Sequence, residues 1–183
     1  GYYDNGNVKY EASYENDLLS GNYKYYNENG ALIQNKSFLK GEIDGLYTSY
    51  FRVGESLKEL TVSYEKGNPT GKVTQFYPNG SKVFEVNYID GKRQGKEVNY
   101  YANANLETEF EMVNNKLQGL YKDYYINGVL SVEGNGFEGE NSGNWQSYYP
   151  DGKIKTNYNY NKGLLDGSYI EYAPNGKLYF EFN

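Results

Sequence analysis

Apolar and polar residues alternate along most of the chain. Leu106, Thr108, Phe110 and Met112 point one way, while Glu107, Glu109 and Glu111 point the other. Ile154, Thr156, Tyr158 and Tyr160 oppose Lys155, Asn157 and Asn159 in the same manner. A period of two predicts strands with one buried face. No window carries the period of an amphipathic helix. Between the strands stand Asn5-Gly6, Asn29-Gly30, Asn79-Gly80, Asn127-Gly128, Asp151-Gly152 and Asn175-Gly176. These dipeptides predict two-residue hairpin turns, because Asn, Asp and Gly tolerate the positive φ that such turns need.

The pattern repeats. Gly21, Gly45, Gly71, Gly95, Gly119, Gly143 and Gly167 lead units of 24 residues, with one spacing of 26. Five positions after each comes an aromatic: Tyr26, Tyr50, Phe76, Tyr100, Tyr124, Tyr148 and Tyr172. A second aromatic follows at Phe51, Tyr77, Tyr101, Tyr125 and Tyr149, with Asn27 and Ala173 as exceptions. A second glycine stands nine positions after the lead, at Gly30, Gly54, Gly80, Gly128, Gly152 and Gly176, replaced once by Ala104. A third precedes the next lead by four, at Gly41, Gly67, Gly91, Gly139 and Gly163, replaced once by Asn115. The reading is one repeat domain over 1–183. It has a partial repeat at 1–20, full repeats at 21–44, 45–70, 71–94, 95–118, 119–142 and 143–166, and a truncated repeat at 167–183. The two-residue excess falls between Gly54 and Tyr64.

The fold class expected is all-β, an elongated antiparallel meander of about seven hairpin repeats and roughly fifteen strands. With a two-residue loop, Tyr125 pairs with Leu130 and Tyr121 with Gly134. Likewise Tyr149 pairs with Ile154 and Trp145 with Tyr158. The second aromatic of each doublet then joins the apolar side and the first lies exposed on the polar side, although Asp123 and Ser147 also land on the apolar face. A sheet with one apolar face must curl over it, dimerise through it or cover it with amphipathic rings such as Tyr.

Composition narrows the chemistry. The chain of 183 residues has no Cys and no His, which removes disulfides, Cys/His zinc sites, His bases and Cys nucleophiles. Its net charge of −6 argues against nucleic acid. Tyr and Asn, 24 each, make it too aromatic for a disordered chain. No apolar run reaches the roughly 18 residues of a membrane span. The chain begins at Gly1 and not Met, so a missing leader leaves the compartment open, with an exported or cell-surface place favoured over the cytoplasm. Lys outnumbers Arg 16 to 2, which points to an AT-rich bacterial source.

The stretches Gly119-Leu-Tyr-Lys-Asp-Tyr-Tyr-Ile-Asn-Gly128 and Gly143-Asn-Trp-Gln-Ser-Tyr-Tyr-Pro-Asp-Gly152 resemble the variant form of the MORN repeat. That repeat occurs in bacterial chains labelled YwqK-type antitoxins. The resemblance implies a non-catalytic meander serving protein contact, self-association or lipid contact. Ala104, Asn115, Gly136 (where an aromatic is usual) and the insertion depart from the pattern. Residues 22–31 also resemble choline- or glucan-binding repeats, but those use shorter units with several Trp, and this chain has one.

The candidate binding face is the row of first doublet aromatics, Tyr26, Tyr50, Phe76, Tyr100, Tyr124, Tyr148 and Tyr172, which would take a partner's side chains or stack on sugars. The same rings serve cross-strand packing, the reading that their recurrence in every unit favours. The seven lead glycines are structural. Glu85, Glu107, Glu109, Glu111 and Glu133 read as a solvated face and not a cation site, since a straight strand does not converge them. No nucleophile elbow or phosphate loop is present. The expectation is a scaffold with no catalytic residue, metal or cofactor, binding a protein partner or a second copy. Glycan binding and the masking of a toxin stand as alternatives.

Overall fold

The computed structural model describes residues 1–51 and 57–183, and Gly54 with most of the insertion lies outside them. The described residues hold strands and no helix. The strands pair antiparallel in meander order, and the chain divides into two compact units, Gly1–Lys92 and Arg93–Asn183.

The first unit contains β1 (Tyr10–Glu15), β2 (Leu18–Tyr26), β3 (Leu32–Leu39), β4 (Glu42–Ile43), β5 (Gly45–Tyr50), β6 (Lys58–Glu65), β7 (Asn68–Phe76) and β8 (Lys82–Ile89), while β9 (Lys92–Arg93) straddles the boundary. The second contains β10 (Gly95–Tyr100), β11 (Leu106–Val113), β12 (Lys116–Tyr124), β13 (Leu130–Phe137), β14 (Glu140–Tyr148), β15 (Ile154–Asn161), β16 (Leu164–Tyr172) and β17 (Leu178–Phe182). Two of the 17 are two-residue pieces cut from β5 and β10 by Asp44 and Gln94, which accounts for the excess over the expected number.

The tight hairpin turn lies elsewhere than expected. At Asn127-Gly128 only Gly128 has positive φ, +83°. Its N–H donates to the Tyr125 carbonyl at 2.7 Å, and the Tyr125 N–H to the Val129 carbonyl at 2.8 Å. The Asn127 side chain accepts from the Val129 N–H at 3.1 Å. The loop therefore runs from Tyr125 to Val129, and Asn acts there as an acceptor for a backbone N–H. The two-residue turns, with positive φ at both positions, sit at the third glycine: Lys66-Gly67, Asp90-Gly91, Glu138-Gly139 and their equivalents.

This moves the register. Tyr124, not Tyr125, pairs with Leu130, and Tyr148, not Tyr149, with Ile154. A one-residue bulge follows in each hairpin and restores the expected pairs Tyr121 with Gly134 and Trp145 with Tyr158. A second irregularity marks the lead glycines, all of which have φ between +65° and +100°. On β12, Tyr121 pairs with Phe110 and Leu117 with Met112, so Gly119 sits in a bulged segment whose backbone disfavours a side chain.

Paired residues share a face. In the first unit one face carries a cluster of Val62, Val73 and Val86, with Tyr47, Leu60, Tyr64, Phe84 and Tyr88 packed around it. In the second unit the matching face is aromatic. Phe110 stacks on Tyr121 at 5.7 Å between ring centres, and Tyr121 meets Trp145 at 5.4 Å. Tyr158 stacks on Tyr169 at 5.8 Å, and Tyr169 on Phe182 at 5.5 Å. Tyr121 and Trp145 touch across an intervening strand because Gly134 lies between them without a side chain. A Cβ there would come within 2.0 Å of the Trp145 ring. Gly136, the departure from the usual aromatic, is likewise filled by Leu117, whose Cγ would lie 2.2 Å from a Cβ.

Gly134→Ala should displace the Trp145 ring and cost about 1–3 kcal/mol. Urea unfolding followed by the fluorescence of Trp145 measures it. Ala104→Gly should act the other way, because Ala104 is held at φ +68°. Relief of that strain outweighs the entropy glycine adds to the unfolded chain, giving a gain of about 0.5–1 kcal/mol in the same assay.

Candidate functional site

The face opposite the aromatic stack is polar. Register lines up Glu109, Lys122, Glu133, Gln146 and Asn157 across β11 to β15. Lys96 Nζ approaches Glu109 Oε2 to 2.6 Å. The first doublet tyrosines close over this ladder. The Tyr124 hydroxyl donates to Glu109 Oε1 at 2.8 Å and the Tyr148 hydroxyl to Glu133 Oε1 at 2.5 Å. In the first unit the Tyr26 hydroxyl donates to Glu11 at 2.8 Å. The first doublet ring lies on the polar side, as its register requires, yet it does not stand exposed. All seven, Tyr26, Tyr50, Phe76, Tyr100, Tyr124, Tyr148 and Tyr172, are half-buried.

Burial and the neighbouring carboxylate push the Tyr124 and Tyr148 hydroxyls up to about 12. Lys96 in turn holds Glu109 below the usual carboxylate range. Across the sheet, Asp123 lies on the aromatic face, as its register implies, between Thr108 and Val132 and beside Tyr121. Burial pushes its carboxyl up, opposed by the bond it accepts from the Tyr121 hydroxyl at 2.9 Å.

The second doublet tyrosines work at the loop end of each hairpin. The Tyr101, Tyr125 and Tyr149 hydroxyls donate to the carbonyls of Tyr124, Tyr148 and Tyr172 at 2.7, 2.7 and 2.8 Å. Tyr3 does the same to Tyr26 at 2.7 Å. At the tight-turn end, Gly139 and Gly163 donate their N–H groups to the carbonyls of Leu117 and Asn141, both at 3.0 Å. Each of these hairpins is thus tied to its neighbour at both ends.

This arrangement, two strands per unit with a doublet at one end and a tight turn at the other, can be compared with known repeats. Four segments match the family model of the MORN repeat variant: residues 1–16, 69–90, 142–162 and 165–183. These four segments are similar to MORN-variant repeats. The matched segments 69–90 and 142–162 end at Asp90 and Lys162, the first residues of tight turns. A MORN-variant unit here is therefore the hairpin around the longer Asn-Gly or Asp-Gly loop. The matches do not carry the YwqK-type antitoxin label.

No curated protein matches the chain. Two solved structures are similar to it at 15% identity: a mutant of S. aureus TarM in complex with fondaparinux, α-GlcNAc-glycerol and UDP, and TarM. Each has a TM-score of 0.36 and covers 60% of this chain. The chain covers 21% and 20% of theirs, about a fifth of their length, and the likeness carries no argument.

The repeat units also place apolar residues where periodicity did not ask for them. The residue just before a tight turn is apolar and exposed at Leu39 and Ile89 in the first unit and at Val113 and Phe137 in the second, whereas Glu15, Glu65 and Asn161 hold that place in the other described turns. Leu18 and Leu46 add to the first set, Leu120 and Leu164 to the second. The sequence signal is a break in alternation, such as Val113 after Met112 or Ile89 after Tyr88. Among the described residues no group of three or more acidic side chains is placed to hold a metal ion. No helix of the described residues is long and apolar enough to cross a membrane.

Because the folded chain holds the Tyr124 and Tyr148 protons more tightly than the unfolded chain does, their contribution is complete below pH 10 and is lost as pH rises towards 12. Tyr124→Phe combined with Tyr148→Phe should give a shallower alkaline loss of stability, read as the urea midpoint against pH.

Proposed function

We propose that this chain is a non-catalytic scaffold that binds a partner protein along the tight-turn margins of its sheet. The observation that carries it is the set of apolar side chains at those margins. Leu39, Ile89, Val113, Phe137 and Leu164 are between 40% and 74% exposed, although Ile89 and Val113 share their strands with the buried Val86 and Met112. In the second unit Phe137, with Lys116, Glu138 and Glu140 around it, has the make-up of an apolar anchor inside a polar rim. The MORN-variant repeats support a scaffold as well.

A second copy of the chain is one partner this surface fits, and toxin masking would be a special case with no support of its own. The first doublet row is less favoured as a glycan or protein surface, because three of its tyrosine hydroxyls are engaged by glutamates.

Val113→Glu combined with Phe137→Glu tests the reading. Side chains this exposed should tolerate the change within about 0.5 kcal/mol of stability. If they anchor an interface, loss of each costs about 2 kcal/mol, so partner affinity should fall by at least about thirtyfold. Affinity capture identifies partners of the parent chain, and sedimentation reports self-association. Retention of the same partners and the same oligomeric state by the double variant would refute the proposal.

A further inference from the structure

In the first unit a row of side chains crosses five strands on the face that carries the valine cluster. Register sets Gln34 opposite Ser49, Ser49 opposite Leu60, Leu60 opposite Gln75 and Gln75 opposite Phe84. These residues, with Tyr47 and Glu59, line a groove of about 680 Å³. That volume lies within the range of small-ligand sites. Ser49 is buried, and its hydroxyl donates to Glu59 Oε2 at 3.1 Å, which orients the carboxylate. The side-chain amides of Gln34 and Gln75 have no hydrogen-bond partner among the described residues, although both are half-buried.

We infer that this groove binds a neutral oligosaccharide laid across the strands. Each free amide offers two donors and an acceptor, and the held carboxylate accepts further hydroxyl bonds. An amide that no protein group engages is free to exchange water for a ligand that supplies both donors and acceptors. Sugar hydroxyls do. The Tyr47 and Phe84 rings and Leu60 offer apolar surface for the C–H faces of the same sugars. Gln34 and Gln75 stand three strand spacings apart, roughly 14 Å, which suits two or three linked sugars and not one.

Two other ligand classes fit worse. Among the described residues that line the groove the one charged side chain is the anionic Glu59, which disfavours phosphate- or sulfate-bearing ligands. The groove lies over strands that are paired on both sides, so an extended peptide would find no free sheet edge to join. The groove is separate from the tight-turn margins, so the inference stands independently of the proposed protein contact.

The test titrates the full chain with maltotriose, cellotriose and chitotriose, read by calorimetry and by ligand-observed magnetic resonance. At least one should bind with a Kd below about 1 mM, and a sulfated oligosaccharide should bind more weakly. Gln34→Ala combined with Gln75→Ala should raise that Kd by at least about tenfold. Phe84→Leu, which keeps the apolar volume but removes the ring, should weaken it independently, and serves if the double variant does not fold. Val113→Glu with Phe137→Glu should leave sugar binding unchanged. Absence of binding by all three sugars, tighter binding of the sulfated one, or an unchanged Kd in the groove variants would overturn the inference.

Discussion

A tyrosine hydroxyl that donates to a backbone carbonyl one repeat further on is the contact from which the regularity of the second unit follows. Tyr101, Tyr125 and Tyr149 each reach the carbonyl of the first doublet residue in the next hairpin. That carbonyl stands where its strand ends and the loop begins. Left unpaired in a half-buried place it would cost about 1–3 kcal/mol. A phenol has a fixed length, so the bond also fixes how far apart successive loops lie. At the other end, tight-turn N–H groups donate to the strand of the preceding hairpin and perform the same task with backbone alone. Repeats held in this way interact mainly with their neighbours, the usual condition of a solenoid-like array.

With both ends tied, the faces divide the remaining work. One is closed by apolar contact, through valines in the first unit and a run of stacked rings in the second. The other is closed by tyrosines that cap a charge ladder. Surface ion pairs alone stabilise little. The tyrosines add ring area over the stems of Glu and Lys and remove the glutamate oxygens from full hydration. This explains why the same residues recur without forming an open surface. The proposed partner surface and sugar groove therefore fall outside the tyrosine row, on the apolar tight-turn residues and around Gln34 and Gln75.

Much of this was legible in the residues themselves. Alternation such as Leu106 to Met112 and the glycine spacing determine strands, their order and the repeat, because period two and local turn chemistry are properties of adjacent residues. The inner pairs Tyr121 with Gly134 and Trp145 with Tyr158 were also readable, although by a route in which a longer loop and a bulge compensate one another. The loop itself was not readable. Asn-Gly serves a two-residue turn or a longer one equally well, and whether Asn takes positive φ or accepts an N–H is decided by the strands that must meet beyond it. The exposure of the first doublet was decided in the same way. Strand parity puts Tyr124 on the polar side, but only the hairpin one repeat earlier supplies Glu109 to engage its hydroxyl. The groove is the furthest from sequence, since Gln34, Ser49, Leu60, Gln75 and Phe84 lie on five strands and meet only when every register is set. Sequence determines what each strand is; which side chains remain unpaired is a property of the assembled sheet, because a hydrogen bond between repeats depends on the neighbour's position as much as on the residue that makes it.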